Sequence, residues 1–174
     1  KQDNELICLA GIEFRRSLSY NQNDTESAVG FRECAEKALL AKASFNNHLS
    51  MAGAYLLTSK FDDAENELDL CSKMSPNRAE IPFARRTLCR AVANSSQSSS
   101  AQVQRAVLQI GKLLIDSSHD AQLLYILGRL QERLGDNTAA KKSYDEAWAI
   151  NRYVDPDLVN AYSRIGCKSP KIGP

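Results

Sequence analysis

The chain has 174 residues, of which 43% are hydrophobic and 25% are charged, and its net charge is +1. This composition is ordinary for a folded globular protein and argues against disorder of the chain as a whole. A charge so close to zero gives no general attraction to nucleic acid or to an anionic membrane, so we expect neither as a partner. No apolar run approaches the roughly 20 residues that cross a bilayer.

The cysteines and the first residues bear on the compartment in which the protein works. No two cysteines lie within four residues of each other, so their spacing matches neither a zinc knuckle nor a redox-active cysteine pair. An odd number of scattered thiols is typical of a reducing compartment. The chain starts at Lys1 and lacks the layout of a signal peptide. We expect a cytoplasmic protein, with the nucleus as the alternative, and a fragment of a longer chain. The five cysteines are Cys8, Cys34, Cys71, Cys89 and Cys167.

Acidic and basic residues are unevenly divided along the chain. Residues 1–75 carry 8 basic and 12 acidic residues, whereas residues 76–174 carry 14 and 9. The division has two interpretations, which are chance and a basic C-terminal half that meets an acidic partner.

Hydrophobic residues recur with a helical period along the whole chain, and strand patterns are nearly absent. None of the five prolines falls in the middle of a predicted helix, and Pro82 lies in the first turn of one, where proline is tolerated. The pattern predicts nine helices, at residues 4–18, 26–43, 46–58, 62–74, 79–93, 101–116, 121–134, 138–150 and 156–166. Residues 19–25 and 94–100 are polar and are predicted to form mobile surface loops.

Residues 121–152 contain a motif that spans two of the predicted helices. Its elements are Leu124, Leu127-Gly128, Leu134-Gly135-Asp136, Ala140, Tyr144 and Ala147. A second copy, residues 45–78, carries Tyr55, Phe61-Asp62-Asp63-Ala64, Leu68, Cys71, Met74 and Pro76. Two further copies, at 4–43 and 79–118, are inferred from the spacing, which is near 34 residues and allows for the longer loop at 94–100.

The two clear copies resemble the tetratricopeptide repeat (TPR) consensus, although Gln131 and Arg152 depart from it in one copy and His48 and Ala52 in the other. The resemblance implies an all-α fold, a right-handed α-solenoid of antiparallel helix pairs. We expect a single TPR-like domain at residues 1–166, closed by a capping helix at 156–166 and followed by a flexible tail at 167–174. Because one helix pair cannot bury both of its apolar faces, the pairs are expected to stack. Small residues such as Gly128 are expected where helices approach closely, and bulky residues such as Tyr144 are expected to fill the gaps.

The sequence offers no catalytic constellation. It lacks a glycine-rich phosphate loop and the common hydrolase motifs. His48 is expected to pack between helices, and His119 to cap a turn or face water. The acidic residues at 62–69 are explained by the favourable interaction of carboxylates with a helix N-terminus. We therefore expect no enzyme activity, no catalytic residues, no cofactor and no metal.

The resemblance also implies that set positions of each first helix line a concave groove. From these positions we predict a partner-binding site formed by Leu49, Leu56, Phe83, Arg90, Tyr125, Arg129 and Arg133. Arg129 and Arg133 are four residues apart and share a helix face, and arginine can grip a carboxylate with two hydrogen bonds. We expect both to be exposed charges whose replacement leaves stability nearly unchanged.

The expected function is that of a non-enzymatic scaffold for protein–protein interaction. A groove that is apolar at one end and cationic at the other suits a peptide or helix with apolar anchors and acidic residues. The alternative is a structural segment that stacks or self-associates within a larger assembly, as a homo-oligomer or with other subunits.

Overall fold

The computed structural model describes residues 25–170, and within this range all regular structure is helical. The fold class predicted from the sequence, an all-α fold of helix pairs, is confirmed. The helices are α1 (Thr25–Ala41), α2 (Phe45–Leu57), α3 (Phe61–Met74), α4 (Glu80–Asn94), α5 (Ser100–Asp116), α6 (Ala121–Arg133), α7 (Asn137–Ile150) and α8 (Leu158–Arg164). The predicted helix 4–18 and residues 19–24 of the first predicted loop lie outside the described residues.

The chain divides into two compact units, residues 1–88 and 89–174, and the boundary falls inside α4. Within each unit, neighbouring helices along the chain are joined by short turns and pack side by side, as antiparallel helix pairs do.

Two apolar clusters hold together helices described in the first unit. One joins α1 to α2 through Phe31 and Met51, and the other joins α2 to α3 and the start of α4 through Phe45, Cys71 and Ile81. Outside the clusters, the amide of Asn47 donates hydrogen bonds to the carbonyls at 38 and 42, of 2.9 and 2.8 Å. The carbonyl at 38 also accepts the backbone N–H of Lys42, so the amide of Asn47 adds a bond that ties α2 to the end of α1.

The turns inside the two clear repeats correspond residue by residue. Ser59, between α2 and α3, has φ of 56°, and Gly135, between α6 and α7, has φ of 80°. Both positions need the left-handed conformation, which glycine adopts freely and serine adopts at a cost. The two residues are 76 apart, as are Ala64 and Ala140 in the helices that follow, and this equal spacing supports the alignment of the two copies.

The second unit contains a core cluster in which aromatic rings form a column. Tyr144 lies between Tyr125 and Tyr162, with ring centroids 6.0 and 5.8 Å apart, and Trp148 meets the ring of Tyr162 edge-on at 6.2 Å. The cluster brings together residues of α6, α7 and α8, including the fully buried Leu158 of α8. Helix α8 is therefore part of this core.

The contact between α6 and α7 is close at Gly128. A Cβ atom added there would lie 2.4 Å from the ring of Tyr144, which is fully buried. Only glycine lets the backbone of α6 approach the ring to this distance. The predicted close approach at Gly128, and the role of Tyr144 as the bulky residue that fills the gap, are thus both observed.

The segment 94–100 lies largely at the surface, and some of its residues bind within the fold. Ser98 is buried, and its hydroxyl donates a hydrogen bond of 2.9 Å to the carbonyl of Val92 at the end of α4. Ser99 caps α5 in a reciprocal arrangement with Gln102. Arg133, on α6, donates further hydrogen bonds to carbonyls of this segment. These bonds hold the segment at several points, and its mobility stays a prediction.

Gly128→Ala should destabilise the second unit. Alanine gains about 1 kcal/mol of helix propensity over glycine. Its methyl group would displace the buried ring of Tyr144, and overpacking of this kind costs about 1–3 kcal/mol or more. We expect a net loss of about 1–2 kcal/mol in the free energy of unfolding, measured by urea denaturation.

Gly111→Ala is the matched control, since Gly111 also lies within a helix of the second unit. A Cβ atom at this position meets nothing within 4 Å. The free energy of unfolding should therefore rise, by about 0.5–1 kcal/mol. Equal effects of the two substitutions would contradict the close contact at Gly128.

Candidate protein-binding face

Helix α4 carries an exposed row of side chains that includes two predicted binding residues. Phe83, Thr87 and Arg90 are spaced by four and three residues, so they share one face of the helix. Phe83 is 69% exposed, which is unusual for so large an apolar side chain. The hydroxyl of Thr87 donates a hydrogen bond of 3.0 Å to the carbonyl of Phe83 and leaves the ring uncovered. We call Phe83, Thr87 and Arg90 the α4 face.

The two predicted binding residues of α2 are less accessible than Phe83. Leu49 is partly buried and packs against the cluster of Phe45, Cys71 and Ile81. Leu56 is also half-buried. Both therefore contribute to the packing of the first unit, and only part of each side chain is available to a partner.

In the second unit, three of the predicted binding residues, Tyr125, Arg129 and Arg90, already bind carboxylates of the chain itself. Tyr125, 6% exposed, donates its hydroxyl hydrogen to Asp157 over 3.2 Å. Arg129, with 20% of its side chain exposed, forms an ion pair of 3.0 Å with the same carboxylate. Arg90 pairs with Asp155 at 3.1 Å and stays half exposed. Of the three predicted arginines, Arg90 therefore keeps the most surface for a partner.

Arg133 has a structural role that the sequence did not reveal. Its guanidinium donates hydrogen bonds to the carbonyls of Val92, Ser95 and Ser98, at and after the end of α4. A cation at a helix C-terminus is favourable because the last carbonyls have no partner within the helix. The expectation that Arg129 and Arg133 are exposed charges was wrong, since both are partly buried and held by contacts within the unit.

The buried tyrosine hydroxyls are each matched by a carboxylate. Tyr144 donates to Glu132 over 2.6 Å, and Tyr162 donates to Asp145 over 3.0 Å. Arg164, on α8, pairs with Glu132 at 2.6 Å and with Asp157 at 2.9 Å. Burial, with the neighbouring carboxylates, raises the pKa of both tyrosines above the ordinary value of 10.0. The hydroxyls therefore remain protonated donors at physiological pH.

Asp157 holds the centre of this network. Burial opposes its ionisation, but the guanidinium groups of Arg164 and Arg129, with hydrogen bonds from Arg164 and Asn160, outweigh it. The pKa of the Asp157 carboxyl consequently lies below its ordinary value of 3.8. From sequence, Asp157 is only the start of the last helix, and no pattern indicates that it meets Arg129, 28 residues earlier.

The two histidines have the environments that their positions suggest. His48 Nδ1 lies 2.6 Å from the Glu67 carboxylate, and both side chains are largely buried between α2 and α3. His119 is exposed beside Ser118, at the edge of an open cleft of about 630 Å³. The cleft is lined by Ser117, His119, Asp120, Ala121, Gln122, Ile150, Asn151, Tyr153 and Val154, of which none is a predicted binding residue.

Residues 25–170 contain neither a candidate metal site nor a candidate membrane span. Over this part of the chain, no three histidine, cysteine or acidic residues are grouped so that they could hold a metal ion. None of the helices described there is both long and apolar enough to cross a membrane.

Arg133→Ala should destabilise the second unit because it removes a charged donor from three carbonyls at and after the end of α4. The carbonyls of Val92 and Ser95 then keep only their bonds from Ser98. Hydrogen bonds to a charged group contribute about 1.5–3 kcal/mol each, and losses at shared acceptors are not additive. We expect a loss of about 2–4 kcal/mol in the free energy of unfolding, measured by chemical denaturation. Lys142→Ala, an exposed cation in the same unit, should change it by less than about 0.5 kcal/mol. Similar effects of the two substitutions would show that Arg133 does not hold the segment.

Asp157→Asn should weaken the second unit in a pH-dependent way. A carboxyl whose pKa is lowered by folding stabilises the folded state above its ordinary pKa, here 3.8. This contribution disappears as the pH falls through the lower pKa of the folded state. The difference in unfolding free energy between the wild type and the variant should therefore be largest near pH 7 and shrink below about pH 4. A difference that is the same at pH 7 and pH 3 would contradict the assignment.

Comparison with known proteins rests on structure alone. No family model matches the sequence, and no curated protein matches it. Among solved structures, the thermophilic TPR protein TTC0263 of Thermus thermophilus is similar with a TM-score of 0.62 at 13% identity, over 94% of this chain and 83% of that one. The TPR domain of p58(IPK) is similar with a TM-score of 0.56 at 14% identity, over 95% of this chain and 42% of that one.

Both similar structures are described as TPR proteins, and their sequence identity to this chain is low enough that the likeness concerns the fold. It agrees with the TPR motif in the two clear repeats and with the helix pairs observed in each unit. The chain has the fold of a tetratricopeptide repeat protein.

Proposed function

We propose that the chain is a non-enzymatic scaffold that binds a segment of a partner protein at the α4 face. The TPR-like fold commonly serves protein–protein interaction, and this is the broad basis of the proposal. Phe83 is the apolar anchor, and Arg90 is the adjacent charged contact. Leu49 and Leu56 supply further apolar surface in the predicted groove, whereas Tyr125, Arg129 and Arg133 mainly support the fold.

The exposure of Phe83 is the observation that carries the proposal. An exposed aromatic ring on a helix costs the free protein the benefit of burial, about 1.5–3 kcal/mol for a side chain of this size. Aromatic side chains are enriched at the energetic centres of protein interfaces, where this benefit is recovered on binding. Phe83 is also at a position where the TPR repeat directs side chains into its groove.

The contacts of Arg90 indicate the chemistry of the partner. One terminal nitrogen of its guanidinium donates to Asp155, and a guanidinium has five N–H donors in all. The side chain is 48% exposed, so donors remain for a carboxylate of the partner. The partner segment therefore presents an apolar side chain to Phe83 and an acidic residue about two helical turns away, at Arg90.

The proposal places the protein in the cytoplasm or nucleus. Cys34, Cys71, Cys89 and Cys167 are all free thiols, which suits a reducing compartment. Cys71 is fully buried, and burial raises the pKa of its thiol, so that it behaves as a small core residue.

Phe83→Ala should remove partner binding without unfolding the protein. Tagged wild type and variant are used to isolate partners from a cell extract, and the bound proteins are quantified by mass spectrometry. A protein bound through the α4 face should fall at least tenfold with the variant, as expected for the loss of an interface residue worth about 1.4 kcal/mol or more. The melting temperature should barely change because the ring is exposed.

Leu40→Ala is the control, since Leu40 is an exposed apolar residue of α1 that lies outside the predicted site. It should leave the bound proteins unchanged. The proposal fails if no protein is lost selectively with Phe83→Ala, or if the two variants lose the same proteins.

A further inference from the structure

Tyr153 differs from the other tyrosines that the structure describes in residues 25–170. It is 75% exposed and lies in the turn between α7 and α8. Tyr125, Tyr144 and Tyr162 are buried, and the hydroxyl of each donates to a carboxylate of the second unit. Tyr55 is half-buried. Within the described part of the chain, the hydroxyl of Tyr153 is therefore the one that another protein can reach without opening a core.

The backbone around Tyr153 is held by short-range bonds. The N–H of Tyr153 donates to the side chain of Asn151 over 3.0 Å, and the N–H of Val154 donates to the carbonyl of Asn151 over 3.1 Å. Both bonds are made within four residues, so the turn can open locally while α7 and α8 stay in place. Val154 packs against the core of the second unit and marks the end of the segment that can open. An enzyme that must enclose the hydroxyl can therefore take this turn into its active site.

Two groups beside Tyr153 can bind a phosphate. The guanidinium of Arg152 lies over the ring, with its central carbon 4.8 Å from the ring centroid. An arginine pairs with a phosphate through two parallel hydrogen bonds. His119 lines the same open cleft as Tyr153, a cleft of about 630 Å³. Its Nδ1 lies 3.0 Å from the hydroxyl of Ser118, which leaves Nε2 for another partner.

Asp120 also lines the cleft, and its negative charge opposes a phosphate there. Its carboxylate caps α6 and accepts the backbone N–H groups of Gln122 and Leu123, at 2.9 and 3.1 Å. These bonds, together with the positive end of the α6 dipole, offset its charge. The carboxylate of Asp155, in the turn itself, is paired with Arg90. Both carboxylates are thus compensated within the fold, and the guanidinium over the ring remains for a phosphate, which carries a charge of about −1.5 to −2.

We propose that Tyr153 is a phosphorylation site, used by a protein tyrosine kinase with ATP as the phosphoryl donor. The phenolic oxygen attacks the γ-phosphorus of ATP, the bond from that phosphorus to the bridging β–γ oxygen breaks, and ADP leaves. The phenolic proton passes to a base of the kinase. The phosphate then binds Arg152 beside it and His119 across the cleft, which joins the turn before α6 to the turn before α8. The site lies outside the α4 face and does not depend on a partner bound there.

Selective modification of the folded chain tests the site. The purified chain is incubated with ATP and a tyrosine kinase of broad specificity, and phosphotyrosines are mapped by mass spectrometry. Tyr153 should be phosphorylated faster than Tyr144 and Tyr162, by roughly tenfold or more, because a buried hydroxyl reacts only when its core opens. Peptides cut from the chain after glutamate are the control, since burial is lost in them and Tyr144 and Tyr162 should then react as well. Equal rates in the folded chain, or an unmodified Tyr153, overturn the proposal.

Use of the site in a cell is a separate measurement. The tagged chain is recovered from animal cells treated with vanadate, which blocks tyrosine phosphatases, and its phosphotyrosine is quantified by mass spectrometry and with an antibody. The antibody signal should fall in Tyr153→Phe and stay unchanged in Tyr55→Phe, the matched control at a half-buried tyrosine. Recovery of Tyr153 in its unmodified form alone contradicts its use by a kinase.

³¹P NMR of the phosphorylated chain tests the contacts of the phosphate. The second ionisation of a phosphotyrosine occurs at about pH 6, and nearby cations favour the dianion. The midpoint should therefore lie below about pH 6 and rise in both Arg152→Ala and His119→Ala. Lys142→Ala, at an exposed lysine of α7, should leave it unchanged. A midpoint that neither of the first two substitutions moves overturns the placement of the phosphate in the cleft.

Discussion

The packing of the second unit depends on the contact between the ring of Tyr144 and the backbone of α6 at Gly128. The ring sets the distance between α6 and α7, because the missing side chain at Gly128 is the space that it fills. Since the ring is fully buried, its hydroxyl needs a hydrogen-bond acceptor, and Glu132 provides it. Glu132 is in turn neutralised by Arg164 on α8. One aromatic side chain in the core therefore accounts for a polar network that reaches the last helix.

The other clear repeat solves the same packing problem with different volumes. The residues equivalent to Gly128 and Tyr144, 76 positions earlier, are Ala52 and Leu68, and both are buried. A methyl group takes the place of a hydrogen, and a smaller aliphatic side chain takes the place of a ring, so the pair conserves approximate volume. No buried hydroxyl is present at Leu68, and no carboxylate is needed beside it. This explains how the two copies keep one geometry while sharing few identical residues.

The sequence predicted the helices and the close packing at Gly128 because these depend on local periodicity and on residue size. The left-handed turn at Gly135 is also a local property. The contacts of Arg129 and Arg133 were not predictable in this way, since their partners are 28 to 41 residues distant along the chain. Periodicity shows which face a side chain occupies and does not show which group it meets there.

The same limit applies to the proposed binding surface. An exposed position can be expected for Phe83 from the repeat, whereas the burial of Tyr125 depends on distant residues such as Tyr144, 19 positions later, and Asp157, 32 positions later. The segment 94–100 has a serine-rich composition that is typical of a solvated loop. Its structure is determined by Ser98 and Arg133, whose hydrogen bonds are invisible in the composition.

The bonds made by Arg133 have a consequence for the order of events during synthesis. The carbonyls that it caps are made 35 to 41 residues before it. At a translation rate of about 5–20 residues per second, they wait roughly 2–8 seconds for this donor to emerge. Through that interval the carbonyls at the end of α4 lack the donors of Arg133, while the local bonds of Ser98 are already possible. The nascent chain therefore passes through a stage in which the turn between α4 and α5 is made but not yet fixed by Arg133.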